Sequence, residues 1–161
     1  MVIHNIPVKV NKKYLNVYRS IKEYLAQSPS FTLEYSSLFM LCACLGFREC
    51  QQVTSLTDKF DGVELMRSQD MDEHQQTILK VFAIKLSGNY EILEKPDQII
   101  LLAERVAERG MEILIDKILK EDIYEINPGE YSLKSSAKRL NEQVLGMFIK
   151  EELERNAPFY M

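Results

Sequence analysis

The side chains able to do chemistry in this chain are few and poorly grouped. There are three thiols, Cys42, Cys44 and Cys50, and two imidazoles, His4 and His74. Cys42 and Cys44 stand two apart in a helical pattern and so point to different sides, and no second Cys or His pair lies at a metal-ligand spacing. They are read as inert buried thiols rather than a metal or redox site, and an odd count in a reducing compartment argues against a disulfide framework. His4 falls in an extended N-terminal arm and His74 in the first turn of a helix, so both are read as surface residues rather than general bases. Pro96-Asp97 followed by Asp116-Lys117 loosely suggests a metal-dependent nuclease. Such a site needs carboxylates on adjacent strands, whereas these lie along one helix. The chain has no phosphate-cradling glycine loop, no HExxH and no Gly-x-Ser-x-Gly elbow. The expectation is therefore a protein that is not an enzyme, with no catalytic residue, metal site or cofactor, whose work is binding.

Charge narrows what it would bind. Lys and Arg number 20 against 24 Asp and Glu, a formal charge of −4, which argues against non-specific adhesion to nucleic acid. The balance is uneven: residues 1–50 carry six basic and three acidic side chains, net +3, and residues 51–161 carry 14 and 21, net −7. Lys12, Lys13, Arg19 and Lys22 on the first helix are the candidate nucleic-acid contacts, with Tyr14 and Tyr18 as rings for base stacking. Both tyrosines fall on the apolar stripe, away from Lys12 and Arg19, and are better read as core. Candidate partner contacts are Arg105, Arg109, Phe159 and Tyr160. The plainer reading of the first two is a solvated face, with Arg105–Glu108 and Arg109–Glu112 paired three residues apart. No secretory signal and no apolar run of membrane-spanning length is expected, which places the chain in the cytoplasm and off the membrane.

Periodicity sets out the elements. The whole of 1–161 reads as a single, mainly α domain of about five helices, with room for a two- or three-stranded antiparallel sheet. Residues 1–10 form an extended arm or edge strand, and residues 156–161 a tail. From Asn11, a possible cap, Tyr14, Val17, Tyr18, Ile21 and Leu25 line one face of the first helix. Ser28 to Ser30 end it. The second helix is expected to start at Thr32 and to stop at Gly46, with Phe47 folding back on its last turn. Residues 48–70 read as loop apart from Val63 to Met66, a short strand fit to pair with the N-terminal segment. Asp70 with Glu73 offers a capping box for a third helix, apolar nearly all round and so central, that Gly88 closes. Pro96 opens the fourth, whose stripe of Ile99, Ala103, Val106, Ala107, Gly110 and Leu114 admits a close neighbour, with Glu104, Arg105, Glu108, Arg109, Glu112 and Asp116 opposite. Asn127, Pro128 and Gly129 make a turn. Ser132 or Ser135 then caps a fifth helix bearing Ala137, Leu140, Val144, Leu145 and Phe148.

One resemblance adds a context. Ala83, Ile84, Ser87-Gly88-Asn89-Tyr90-Glu91-Ile92-Leu93, then Glu104, Ala107, Gly110-Met111 and Leu114, resemble the C-terminal half of a small bacterial family, the Dnd-system-associated protein 4, linked to DNA phosphorothioation. Phe39, Ala43 and Leu45-Gly46-Phe47 are similar to that family's aromatic-rich helix, so the likeness spans about residues 31–119. The resemblance implies a small non-catalytic companion of DNA-targeting anti-phage or anti-plasmid machinery, with larger nuclease or ATPase subunits as partners. Small helical subunits of SMC-like ATPase complexes of the Lamassu type are an alternative, as is a DNA-binding regulator that uses the basic first helix.

Overall fold

The computed structural model describes residues 5–26, 33–50 and 61–134. Strand β1 (Pro7–Asn11) leads through a 3-10 turn (Lys12–Tyr14) into helix α1 (Leu15–Ala26), and α2 (Tyr35–Glu49) follows. Strand β2 (Gly62–Arg67) precedes α3 (Glu73–Ser87), α4 (Pro96–Leu114) and a single π-helical turn (Ile115–Leu119). Strands β3 (Ile123–Asn127) and β4 (Glu130–Leu133) complete the described part. The fold is mainly α, with four α-helices and two separate two-stranded antiparallel sheets among the described residues. The expected fifth helix and the tail residues Phe159 and Tyr160 lie outside the described residues, as do Thr32 and the side chain of Leu25.

The core is built on α2 against α4. Cys42 and Gly46, four apart, face Val106 and Gly110, four apart, and a methyl group on either glycine would overlap backbone of the opposite helix. This close approach explains Gly46, which lies inside α2 and does not end it; the helix runs on to Glu49. Glycine read as a stop signal was here a contact surface. Around the crossing, Leu38, Phe39, Leu45, Ile99, Met111 and Leu114 are fully enclosed. Burying each such side chain stabilises the fold by about 1.5–3 kcal/mol.

The other elements pack around this pair. The 3-10 turn and α1 bury Tyr14, Val17, Tyr18 and Ile21, the described part of the expected stripe, and Asn11 Oδ1 accepts from Lys13 N at the entry. Strand β2 pairs with β1 as anticipated, though it begins at Gly62, a residue expected in a loop. Helix α3 opens on Asp72, whose carboxylate accepts from Gln75 N while Asp72 N donates to Gln75 Oε1. Asp70 instead accepts from Arg67 N, one turn earlier than the expected cap. Nor is α3 central. It buries Gln76, Leu79, Ala83 and Leu86 on one face and leaves Ile78 and Val81 outside, Val81 being 55% exposed. Phe82 stacks on Phe47 of α2 with centroids 4.0 Å apart. Gly88 closes α3 at φ 69°, as expected, and Pro96 starts α4. The segment expected as a plain turn around Pro128 is a hairpin, with Gly129 at φ 80° between β3 and β4. Ser132 lies within β4, while Ser135 and the helix expected after it lie outside the described residues.

Candidate interaction surface

The acidic face of α4 divides in two. Glu104 and Glu108, expected in solvent, are 8% and 9% exposed because β1 lies over them. Lys9 N, at the bulge between Val8 and Lys9, donates to Glu104 Oε1 at 2.9 Å. Asn11 Nδ2 donates to Glu108 Oε1 at 2.7 Å, and Glu108 Oε2 is buried with no hydrogen bond. Val10, Tyr14, Tyr18 and Met111 close around the two carboxylates and leave no room for a water. Burial pushes the Glu104 carboxyl above the ordinary range, against the opposing pull of Lys9 N–H and the Arg105 charge. Two carboxylates one turn apart thus serve as a latch that holds the first strand to the central helix. Both lie opposite the expected apolar stripe of α4, and no local feature of the sequence signals that a strand covers them.

The four cations proposed for nucleic acid are on the surface of the 3-10 turn and α1, but three have partners within the chain. Lys12 pairs with Glu130 at 3.6 Å, tying the first turn to the hairpin. Lys13 Nζ sits 4.8 Å from the Tyr14 ring centroid. Lys22 lies 4.3 Å from the Tyr35 ring and 3.3 Å from Glu34 Oε2. Arg19 is exposed. Tyr14 and Tyr18 are buried, so neither ring is open to a base. Of the candidate partner contacts, Arg105 is half-buried, and Arg109 spans Glu112 at 2.9 Å and Glu49 at 3.5 Å, joining α4 to α2. The Arg109–Glu112 pair is the one expected three residues apart.

The thiols behave as structural groups. Cys42 is enclosed between α1 and α4, linked by a hydrogen bond to the Tyr18 hydroxyl, and burial pushes its pKa up to about 12. Burial likewise raises Cys44 to about 11. Among the described residues no group of three His, Cys, Asp or Glu side chains could hold a metal ion. No described helix is long and apolar enough to cross a membrane.

Several large apolar side chains also face outward. Ile78 and Val81 share a face of α3, Tyr124 and Ile126 stand out from β3, and Tyr90 and Leu101 are exposed between and beside them in sequence. The bulge between Glu125 and Asn127 sets Ile126 out of the pairing with β4. Beside the hairpin, a groove of about 300 Å3 runs between Tyr14, the end of α4 and the first residues of the strands. The sequence carries no separate signal for these positions: Ile78 and Val81 belong to a helix whose pattern is apolar nearly all round, and only the burial pattern marks them as surface. No protein-family model, curated protein or solved structure matches the chain.

Proposed function

We propose that this protein is a non-catalytic accessory subunit of a prokaryotic DNA-targeting defence complex, where it bridges larger nuclease or ATPase subunits. The observation that carries the binding role is the pairing of exposed apolar side chains on two distinct elements, Ile78 with Val81 on α3 and Tyr124 with Ile126 on β3. Apolar side chains grouped on one face are the material from which a partner-covered surface is built. Two such places suit a bridge better than a single-partner inhibitor. The groups best suited to chemistry are largely taken up in packing: Cys42 and Cys50 are buried, Cys44 is half-buried, and Glu104 and Glu108 hold β1. The defence setting rests on the resemblance in residues 31–119.

Affinity purification of the tagged protein from the cells that make it tests this reading. A large DNA-processing or ATPase protein should co-purify in fixed stoichiometry and remain bound after nuclease treatment. Recovery as a free monomer alone contradicts it, and recovery that depends on intact DNA would favour the DNA-binding regulator instead.

A further inference from the structure

Strand β3 is the open edge of its sheet. Ile123, Tyr124 and Glu125 pair in regular antiparallel register with Leu133, Ser132 and Tyr131 of β4, and the sheet has no third strand among the described residues. In such a pair alternate residues turn their N–H and C=O groups away from the partner strand. Strand β4 lies against the body of the protein, with Ser132 and Leu133 buried and Tyr131 stacked on Tyr14 at a centroid distance of 6.2 Å. On the far side of β3, no described group outside the hairpin bonds to the backbone of Ile123–Asn127, and Tyr124, Glu125, Ile126 and Asn127 are all exposed. The other sheet differs, since the carboxylate of Glu104 takes up Lys9 N of β1 from within the chain.

We infer that β3 takes up an extended segment of a partner protein as a third strand of this sheet. A row of free backbone donors and acceptors is a template for another strand, which replaces the water it displaces with ladder hydrogen bonds. A helix bonds its own backbone internally, so a helix laid over Tyr124 and Ile126 would dehydrate the β3 backbone without repairing it. The bulge at Ile126 sits next to the turn and leaves Ile123 to Glu125 regular, and the new ladder forms there. Charge selects against a second copy of the chain. From residue 121 to residue 130 the charged side chains are Glu121, Asp122, Glu125 and Glu130, with no Lys or Arg among them. Lys12 pairs with Glu130, and Lys134 Nζ is spent on Glu121 O. Glu125, in the middle of β3, bonds only the Gly129 N–H of its own turn and has no ion pair among the described residues. Two β3 strands paired about a two-fold axis at Glu125 would set these carboxylates directly opposite, where like charges destabilise a sheet. The segment that fits has apolar residues at alternate positions, to lie beside Tyr124 and Ile126, and is neutral or basic opposite Glu125. The inference rests on the reading of β3 as a partner-covered surface and adds how it is covered.

Hydrogen exchange of individual amides, read by NMR on the full chain, tests this with the peptide acetyl-Lys-Val-Thr-Val-Lys-Val-Thr amide. One control is the same peptide N-methylated at its five inner residues, which keeps the side chains and removes the donors of both edges. A second carries glutamate in place of both lysines. At a concentration of the parent peptide that saturates its shift changes, β3 amides that exchange freely in the chain alone should slow at least fivefold, at alternate residues. The methylated peptide should slow none of them, and the glutamate peptide should bind at least threefold more weakly. No saturable shift changes, shifts without slowed exchange in β3, slowing centred on another element, or equal binding of the glutamate peptide would overturn the assignment. Slowed β3 exchange that grows with protein concentration in the absence of peptide would assign the edge to a second copy, which also overturns it. Recovery of a free monomer in the purification above with β3 protected by the peptide removes the accessory role and keeps the docking edge. Recovery of large partners with β3 unprotected keeps the accessory role and removes strand addition.

Discussion

Glu104 shows how one side chain can look like surface in a sequence and behave as an internal support. Its carboxylate gives β1 an acceptor for Lys9 N, and burial makes the charged form costly. The folded chain therefore holds the Glu104 proton more tightly than the unfolded chain does. Its contribution to stability is fully present below the ordinary carboxylate pKa of about 4.3 and falls as pH rises through the folded-state value. Glu104→Gln keeps an acceptor and removes the charge. Denaturant unfolding between pH 4 and 7 should show a flatter pH dependence for this variant, with stability at pH 7 no lower than wild type. Glu104→Ala leaves a buried N–H unsatisfied and should lose about 1–3 kcal/mol at all pH values in that range. A wild-type pH profile in E104Q would remove the carboxylate from the account. The thiols make a second prediction at this scale. With pKa values of about 12 and 11, Cys42 and Cys44 hold little thiolate at pH 8, so iodoacetamide should label them rapidly only after unfolding.

At the scale of elements, the two glycines of the α2–α4 crossing carry more than the two in turns. Gly46→Ala or Gly110→Ala forces a methyl group into backbone of the facing helix, and the helices must separate. Overpacking of this kind costs about 1–3 kcal/mol, sometimes more, and exceeds the roughly 1 kcal/mol that alanine returns as a better helix former. Gly88→Ala meets no neighbour and should cost only about 1 kcal/mol, the strain of a left-handed residue with a side chain. Thermal unfolding of the three variants gives the ranking, and G110A as stable as G88A would contradict the close crossing.

These same elements show what the sequence could and could not disclose. The α1 stripe, the β1–β2 pairing, the Gly88 stop and the Pro96 start follow from local periodicity and backbone chemistry, and all were legible. Gly46 differs from its expected place because a glycine after an apolar run fits either a helix end or a tight helix contact, and only the partner helix decides. Helix α3 was expected to be central because its sequence is apolar on several sides. The structure gives that place to α4, and Val81 and Ile78 remain outside. The sequence announces the hairpin only through its Asn-Pro-Gly turn, because the alternating run Tyr124, Glu125, Ile126 is too short to separate from a loop and its apolar members are the ones left outward. Their polarity pattern is that of a strand with little of its surface covered.

At the scale of the molecule, the candidate site was less legible than the fold. Phe159 and Tyr160 fall outside the described residues, and the basic first helix spends Lys12, Lys13 and Lys22 on the chain's own carboxylates and rings. The outward apolar pairs on α3 and β3 emerged only once burial was known. A direct role in DNA binding would give affinity that falls steeply with salt and a shallower slope when Lys12 and Arg19 are replaced by Gln. The bridging account predicts instead weak binding to duplex DNA, unchanged within about twofold by those substitutions. Bridging itself is tested most directly by repeating the affinity purification with Val81→Asp and with Ile126→Asp, after circular dichroism has confirmed that both remain folded. The account predicts that each variant loses a different large partner and keeps the other. Loss of the same partner by both variants, or full recovery of every partner by each, would contradict it.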